Sequence, residues 1–327
     1  MNHQRKQTGV ALIVVLLIVA IITVIAVEMS GRLQLNVART LNLKANNQAY
    51  WYALGAEQFA KSSLVTLNTL SAKNINLSQP WAETFEFPVE GGYIKAQLID
   101  MQACFNLNAI NSTPVPNPNG PTQSQRAFQT LIENFISDSL AVETIRDSLI
   151  DWIDADSKPN NYGAEDADYE SLANPYLAAN SPLGHPSEMR LINGIDQVIK
   201  MGGLQALRKV VCVLPNETKL KINVNTITAE NAVVLSALLS ETSDDGPSII
   251  DSRPPEGFKD IADFLNLTEV LALNLDPDRQ AWFDVTTKYF KLNTTAKFQG
   301  SQFKLSTIFK LDSGGISIIS REFGGAF

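Results

Sequence analysis

The chain has 327 residues, 45% of them apolar, with a net charge of −8 and a pI near 4.9. The first 27 residues hold two bases and no acid, so the rest carries −10. That balance argues against nucleic acid as a partner, because phosphate binding needs clustered Lys and Arg. With only His3 and His185, it also leaves little material for zinc or for histidine-based catalysis.

In chain order, residues 1–9 form a short basic leader ending in Gly9. Val10–Val27 is an uninterrupted apolar run broken in polarity only by Thr23, long enough to cross a bilayer as a helix. His3, Arg5 and Lys6 before it place the N-terminus on the cytoplasmic side and everything after Glu28 outside. A secretory signal peptide is the alternative, with Ala26 as a cleavage point, but no polar spacer separates the bases from the apolar run. The helical pattern also continues over residues 28–70. Leu41, Ala45, Ala49, Tyr52, Ala56, Phe59, Leu64 and Leu67 recur mostly every four residues, one face of a long amphipathic helix.

Residues 83–104 read as a two-stranded unit around Gly91-Gly92, with period-2 alternation. Strand signals return only at 283–327, in segments 283–292, 296–311 and 316–323, parted by Asn293-Thr294 and Gly314-Gly315. The two parts are expected to form one antiparallel sheet on the N-terminal helix, with a mostly helical insertion between them. That insertion contains an echo. Phe105-Asn106-Leu107-Asn108 returns as Ile222-Asn223-Val224-Asn225, and helical periodicity follows each copy. Two related helical modules are expected, 105–211 and 222–282. Cys104 and Cys212 bracket the first one. In an oxidising exterior such a pair is expected as a disulfide, two buried thiols being the alternative.

Residues 151–170 contain seven carboxylates and one base, Lys158, around Pro159, Asn160, Asn161 and Gly163. Crowded acids on a loop suit a hard cation that takes six to eight oxygens at about 2.3–2.6 Å. On charge pattern alone, a solvated acidic loop fits equally well. Asp154, Asp156, Glu165 and Asp168 are the leading candidate ligands, followed by Asp151 and Glu188. Acid–base or metal-assisted hydrolysis by these carboxylates has no histidine, nucleophile or basic clamp to support it.

The leader ending in Gly9, the apolar run, the long helix and the terminal β-domain resemble a type IV pilin-like prepilin. The paired helical modules are similar to those inserted in the large minor pseudopilins of type II secretion systems. Val14 agrees, standing at the fifth mature position where most of the family carries glutamate. The resemblance implies an α+β fold: a long N-terminal helix packed on an antiparallel sheet, with two helix-hairpin-helix/SAM-like modules inserted between strands. It implies cleavage by a prepilin peptidase after Gly9, methylation of Val10, and calcium held structurally in the acidic region. It further implies a non-enzymatic, single-pass inner-membrane protein with its C-terminal domain in the periplasm. Its implied partners are other minor pseudopilins in a filament-tip complex, the major pseudopilin and the inner-membrane assembly platform. A membrane-tethered, calcium-dependent adhesin outside any filament is the alternative.

Overall fold

The computed structural model describes residues 8–71, 73–112, 120–242, 244–312 and 315–324. Most of the expected leader, residues 1–7, therefore lies outside the described residues. Helix α1 spans Thr8–Ser71, 64 residues without a proline, about 96 Å at 1.5 Å per residue. Its apolar start has a mean hydropathy of 3.5 over an 18-residue window, none of it buried. The protein itself thus covers no part of that segment.

Packing begins only at Ala45. The buried stripe is Ala45, Ala49, Ala53, Ala56, Ala60, Leu64 and Leu67, spaced three and four apart. Two members of the expected face are corrected: Leu41 and Phe59 are 56% and 54% exposed. Leu41 precedes the first buried position. Phe59 lies beside the stripe and meets Phe85 and Phe87 edge-on, with centroids 6.5 and 5.6 Å away. Alanine dominates the true seam because a small side chain lets the helix approach the sheet closely, which the larger, more hydrophobic residues of the pattern would obstruct.

Strands β1 (Phe85–Val89) and β2 (Gly92–Asp100) follow the helix. The chain then enters a helical head. Its first module comprises β3 (Phe105–Asn106), α2 (Gln123–Glu133), α3 (Ser139–Ile153), α4 (Asp166–Glu170), α5 (Ile195–Lys200), α6 (Leu204–Val210) and β4 (Val211–Cys212). The second comprises β5 (Ile222–Asn223), α7 (Ala232–Leu239), α8 (Gly246–Ser252), α9 (Ile261–Leu265), α10 (Thr268–Ala272), α11 (Pro277–Gln280) and β6 (Phe283–Asp284). Strands β7 (Tyr289–Phe298), β8 (Ser301–Asp312) and β9 (Gly315–Phe323) complete the sheet, in the order β1-β2-β7-β8-β9. All its pairings are antiparallel. The α+β class, the long helix on an antiparallel sheet and the helical insertion are as expected.

Two boundaries differ from the sequence reading. Phe283–Asp284 does not open the sheet but pairs in parallel with Ile222–Asn223, so it closes the second module. The apolar-polar alternation there belongs to a short strand of the head, and the sheet resumes at Tyr289. Nor is Asn293-Thr294 a turn. Both sit mid-strand opposite Ser306 and Leu305, with Thr294 fully buried. The reversal falls at Gln299-Gly300, where φ is +45° and +84°, the left-handed pair that a two-residue hairpin needs.

The echo is structural. Strand β3 pairs with β4 in parallel, as β5 does with β6. The second Asn of each motif grips one backbone position across the module. Asn108 accepts from Leu183 N (2.8 Å) and donates to Leu183 O (2.9 Å). Asn225 accepts from Phe258 N (2.7 Å) and donates to Phe258 O (2.9 Å). One continuous hydrophobic core runs through both modules.

The neck between sheet and head is polar but satisfied. Asp100, where β2 ends, is buried and accepts from Gln102 N (2.7 Å), Asn223 Nδ2 (3.0 Å) and Thr226 Oγ1 (2.7 Å). Desolvation holds its carboxyl above the ordinary value despite these bonds. Cys104 and Cys212 form the expected disulfide, with Cα atoms 5.8 Å apart, at the base of the first module. A second tie joins head to sheet edge, His185 Nε2 lying 2.6 Å from Glu322 Oε1 on β9.

Candidate metal centre in the helical head

The acidic loop starts where α3 stops. Asp154 caps that helix, its N–H donating to Ile150 O (3.0 Å), and the backbone turns extended there. The chain passes Asp156 and the Pro159–Gly163 bend, then returns to Glu165 at the start of α4. Carboxylate oxygens of Asp154, Asp156 and Glu165 all lie within 4.8 Å of one another.

The other candidates have different surroundings. Asp168 Oδ2 accepts from Glu165 N (3.0 Å), fixing the first turn of α4 beside the cluster. Asp151 is fully buried one helical turn before Asp154 and binds Asn160. Glu188 lies outside the cluster. Its Oε1 accepts from Gly184 N (3.0 Å) and His185 N (2.8 Å), capping the 3₁₀ turn Pro186–Leu191. That S/T/H-x-x-E-like cap is a local role that the glutamate's spacing could have revealed.

The electrostatics of the three clustered acids are unfavourable without a counter-charge. Glu165 is 3% exposed, and neither of its oxygens has a hydrogen-bond partner. Asp154 Oδ1 is likewise buried and unpartnered. Burial, reinforced by Asp151 and Asp154, pushes Glu165 up to about 7. Burial, then Asp156 and Asp151, push Asp154 up to about 6. Buried carboxylate oxygens without donors are what a hard cation would satisfy, so the residues present fit calcium. Asp154, Asp156 and Glu165 would hold it, with Asp168 and loop carbonyls near Asn161 and Gly163 available to complete the shell. Bound there, the ion would supply positive charge that braces the loop.

These shifts fix the sign of a pH effect. Both carboxyls hold protons in the folded state that the unfolded chain releases, so the metal-free fold loses stability as pH rises from the ordinary carboxylate range to about 7. A cation must displace the same protons. Any rise in melting temperature that calcium produces over chelator should therefore be small near about pH 5 and larger near about pH 8. Thermal melts at both pH values check this, and a calcium effect that shrinks with rising pH would contradict it.

The pair expected to be the processing site is placed simply. Gly9 and Val10 lie in the first turn of α1, with Val10 exposed. One polar feature of α1 escaped the sequence reading. Glu57, on the buried stripe, is fully buried against Arg321 of β9 (Nη2–Oε1 2.7 Å, Nε–Oε2 2.8 Å) and Thr307 of β8 (2.7 Å). A lone acid among the apolar positions of an amphipathic helix was its only signal.

Comparison with known proteins agrees with this architecture. The family described as "Type II secretion system (T2SS), protein K" matches residues 103–216 and 222–286, the two helical modules. Type II secretion system protein K of Aeromonas hydrophila is 34% identical over 333 residues, covering 98% of each chain. Its counterpart in Klebsiella pneumoniae is 34% identical over 337 residues, covering 99% of this chain and 98% of the relative. Among solved structures, a chain in the crystal structure of the GspK-GspI-GspJ complex from the enterotoxigenic Escherichia coli type 2 secretion system superposes with a TM-score of 0.77. It is 29% identical and covers 88% of this chain and 100% of its own length. The matched relatives run the length of the chain, lipid-compatible helix included, and the chain belongs to the type II secretion system protein K family.

Proposed function

We propose that the protein is a non-enzymatic minor pseudopilin at the tip of a type II secretion pseudopilus, where it helps start assembly and supports export of folded proteins across the outer membrane. The observation that carries this reading is the layout along α1. The lipid-compatible segment occupies one end, and the head is mounted at the other, about 66 Å beyond Val27. Asn74 Nδ2 donates to Phe258 O and Ile75 N to Val285 O (2.8 Å), so the head sits past the end of the helix and not alongside it. A subunit carrying such a mass above its sheet leaves little room for another above it in a filament. Other minor pseudopilins are the proposed partners, as in the solved three-protein complex that contains the similar chain. The major pseudopilin and the inner-membrane assembly platform would act on the same helix.

Cleavage after Gly9 by the prepilin peptidase, followed by methylation of Val10, would leave the apolar helix in the inner membrane and the head in the periplasm. Gly9→Ala should abolish processing, so that the membrane-extracted chain keeps its leader and secretion stops. N-terminal sequencing is the check. Mature Gly9→Ala protein beginning at Val10, or a wild-type chain beginning after Ala26, would remove the filament reading.

Calcium is the proposed structural ion of the head. Asp154→Ala combined with Asp156→Ala should lower the melting temperature in calcium and leave it almost unchanged in chelator. An equal loss in both conditions would show that the pair contributes only ordinary packing.

A further inference from the structure

We propose that Asp151 is a positioning residue for the cation site and not one of its ligands: it holds the returning limb of the loop against the end of α3. This rests on the metal reading above. The Asp151 side chain is fully buried, and its oxygens face backbone and amide donors of the loop. Asn160 N–H lies 3.1 Å from Oδ1 and 3.2 Å from Oδ2. Asn160 Nδ2 donates to Oδ1 as well, and the buried backbone of Ala164 lies beside the same carboxylate. Gly163 closes the remaining approach, since a Cβ there would stand 1.7 Å from Oδ2. Asn160 and Gly163 are thus wrapped onto this carboxylate, while Tyr162 N–H between them donates to Asp147 Oδ2 (3.2 Å), leaving a cation little access to Asp151.

The contrast with its neighbours assigns the roles. Glu165 and Asp154 keep buried oxygens with no partner, and both are linked to Asp151 through short, stiff connections. Glu165 directly follows Ala164, and Asp154 lies one turn along from Asp151. Holding Asn160 and Gly163 against Asp151 therefore fixes where Glu165 meets Asp154 and Asp156. Supporting groups of this kind commonly change metal affinity by about 10–100-fold when altered.

The test uses the full mature chain in detergent, with terbium or europium as the probe and calcium as competitor. Trp152 follows Asp151 in sequence and packs on Tyr169 with centroids 5.3 Å apart, giving a sensitiser close to the cluster. Asp151→Asn should weaken calcium binding about 10–100-fold while the number of waters on bound europium, read from its emission lifetime in light and heavy water, stays at the wild-type value. Gly163→Ala should weaken calcium similarly without altering any charge. A water count that rises by one in Asp151→Asn would make Asp151 a ligand and overturn the assignment. Unchanged calcium affinity in both variants would also overturn it, leaving Asp151 a purely structural acid. Wild-type protein whose terbium emission calcium cannot displace would instead remove the metal reading itself, a separate and recognisable outcome.

Discussion

Arg321→Ala should destabilise the helix–sheet unit by about 3–5 kcal/mol, the range for stranding one member of a buried ion pair. The asymmetry of the pair sets the expectation. Glu57 has no exposed side-chain surface and Arg321 keeps 37%, so solvent already screens part of their attraction. The large cost comes from leaving the Glu57 carboxylate in the seam between α1 and β8 with Thr307 and a long bond from Gln58 (3.5 Å) as its donors. Glu57→Gln removes the charge instead of isolating it and keeps an oxygen for Thr307 or Arg321. It should cost nearer about 1 kcal/mol. Urea unfolding of the two variants decides the matter: equal losses would mean that the attraction removed in both, and not the stranding of a buried carboxylate, is what counts.

Replacing both cysteines, Cys104→Ala with Cys212→Ala, should cost about 2–5 kcal/mol. The bridge spans a sequence separation of 108 and so restrains almost all of the first module in the unfolded chain. Chain-entropy estimates for loops of about 100 residues approach 4.7 kcal/mol. It also lies beside the β3–β4 pair, where Asn106 faces Cys212, so the native geometry is already held by other bonds and should survive the change. Reductant should lower the wild-type urea midpoint towards that of the double variant and leave the variant where it is. A reductant effect of equal size in both proteins would assign the loss to something other than this bridge.

Much of this architecture is written in local patterns, and the departures share a cause. The 64-residue helix could be read because apolar continuity and proline absence are local properties of α1. Its buried face could be read only partly, since hydrophobicity selects Leu41 and Phe59 while close packing against a sheet selects alanine. The β3 and β5 motifs could be matched because asparagine in an apolar strand is a conspicuous choice; that Asn108 and Asn225 each grip a distant backbone position is a tertiary fact with no sequence counterpart. In the acidic loop, composition narrowed the candidates to a few carboxylates. Which of them converge depended on where the chain turns back, set by contacts such as Asn160 to Asp151 and Gly184 to Glu188. Glu57 and Arg321, separated by 264 residues, lay furthest from what a pattern can show.

Asp100 and Phe290 face each other across the β2–β7 ladder, so both roots of the head emerge side by side from the middle of the sheet. Those two strands already stand as the arms of an ordinary hairpin, and a two-residue link could close them with every rung of the meander intact. The head is consequently an insertion mounted on a finished shaft: as far as strand order goes, it can enlarge, shrink or be replaced without rethreading the helix–sheet unit.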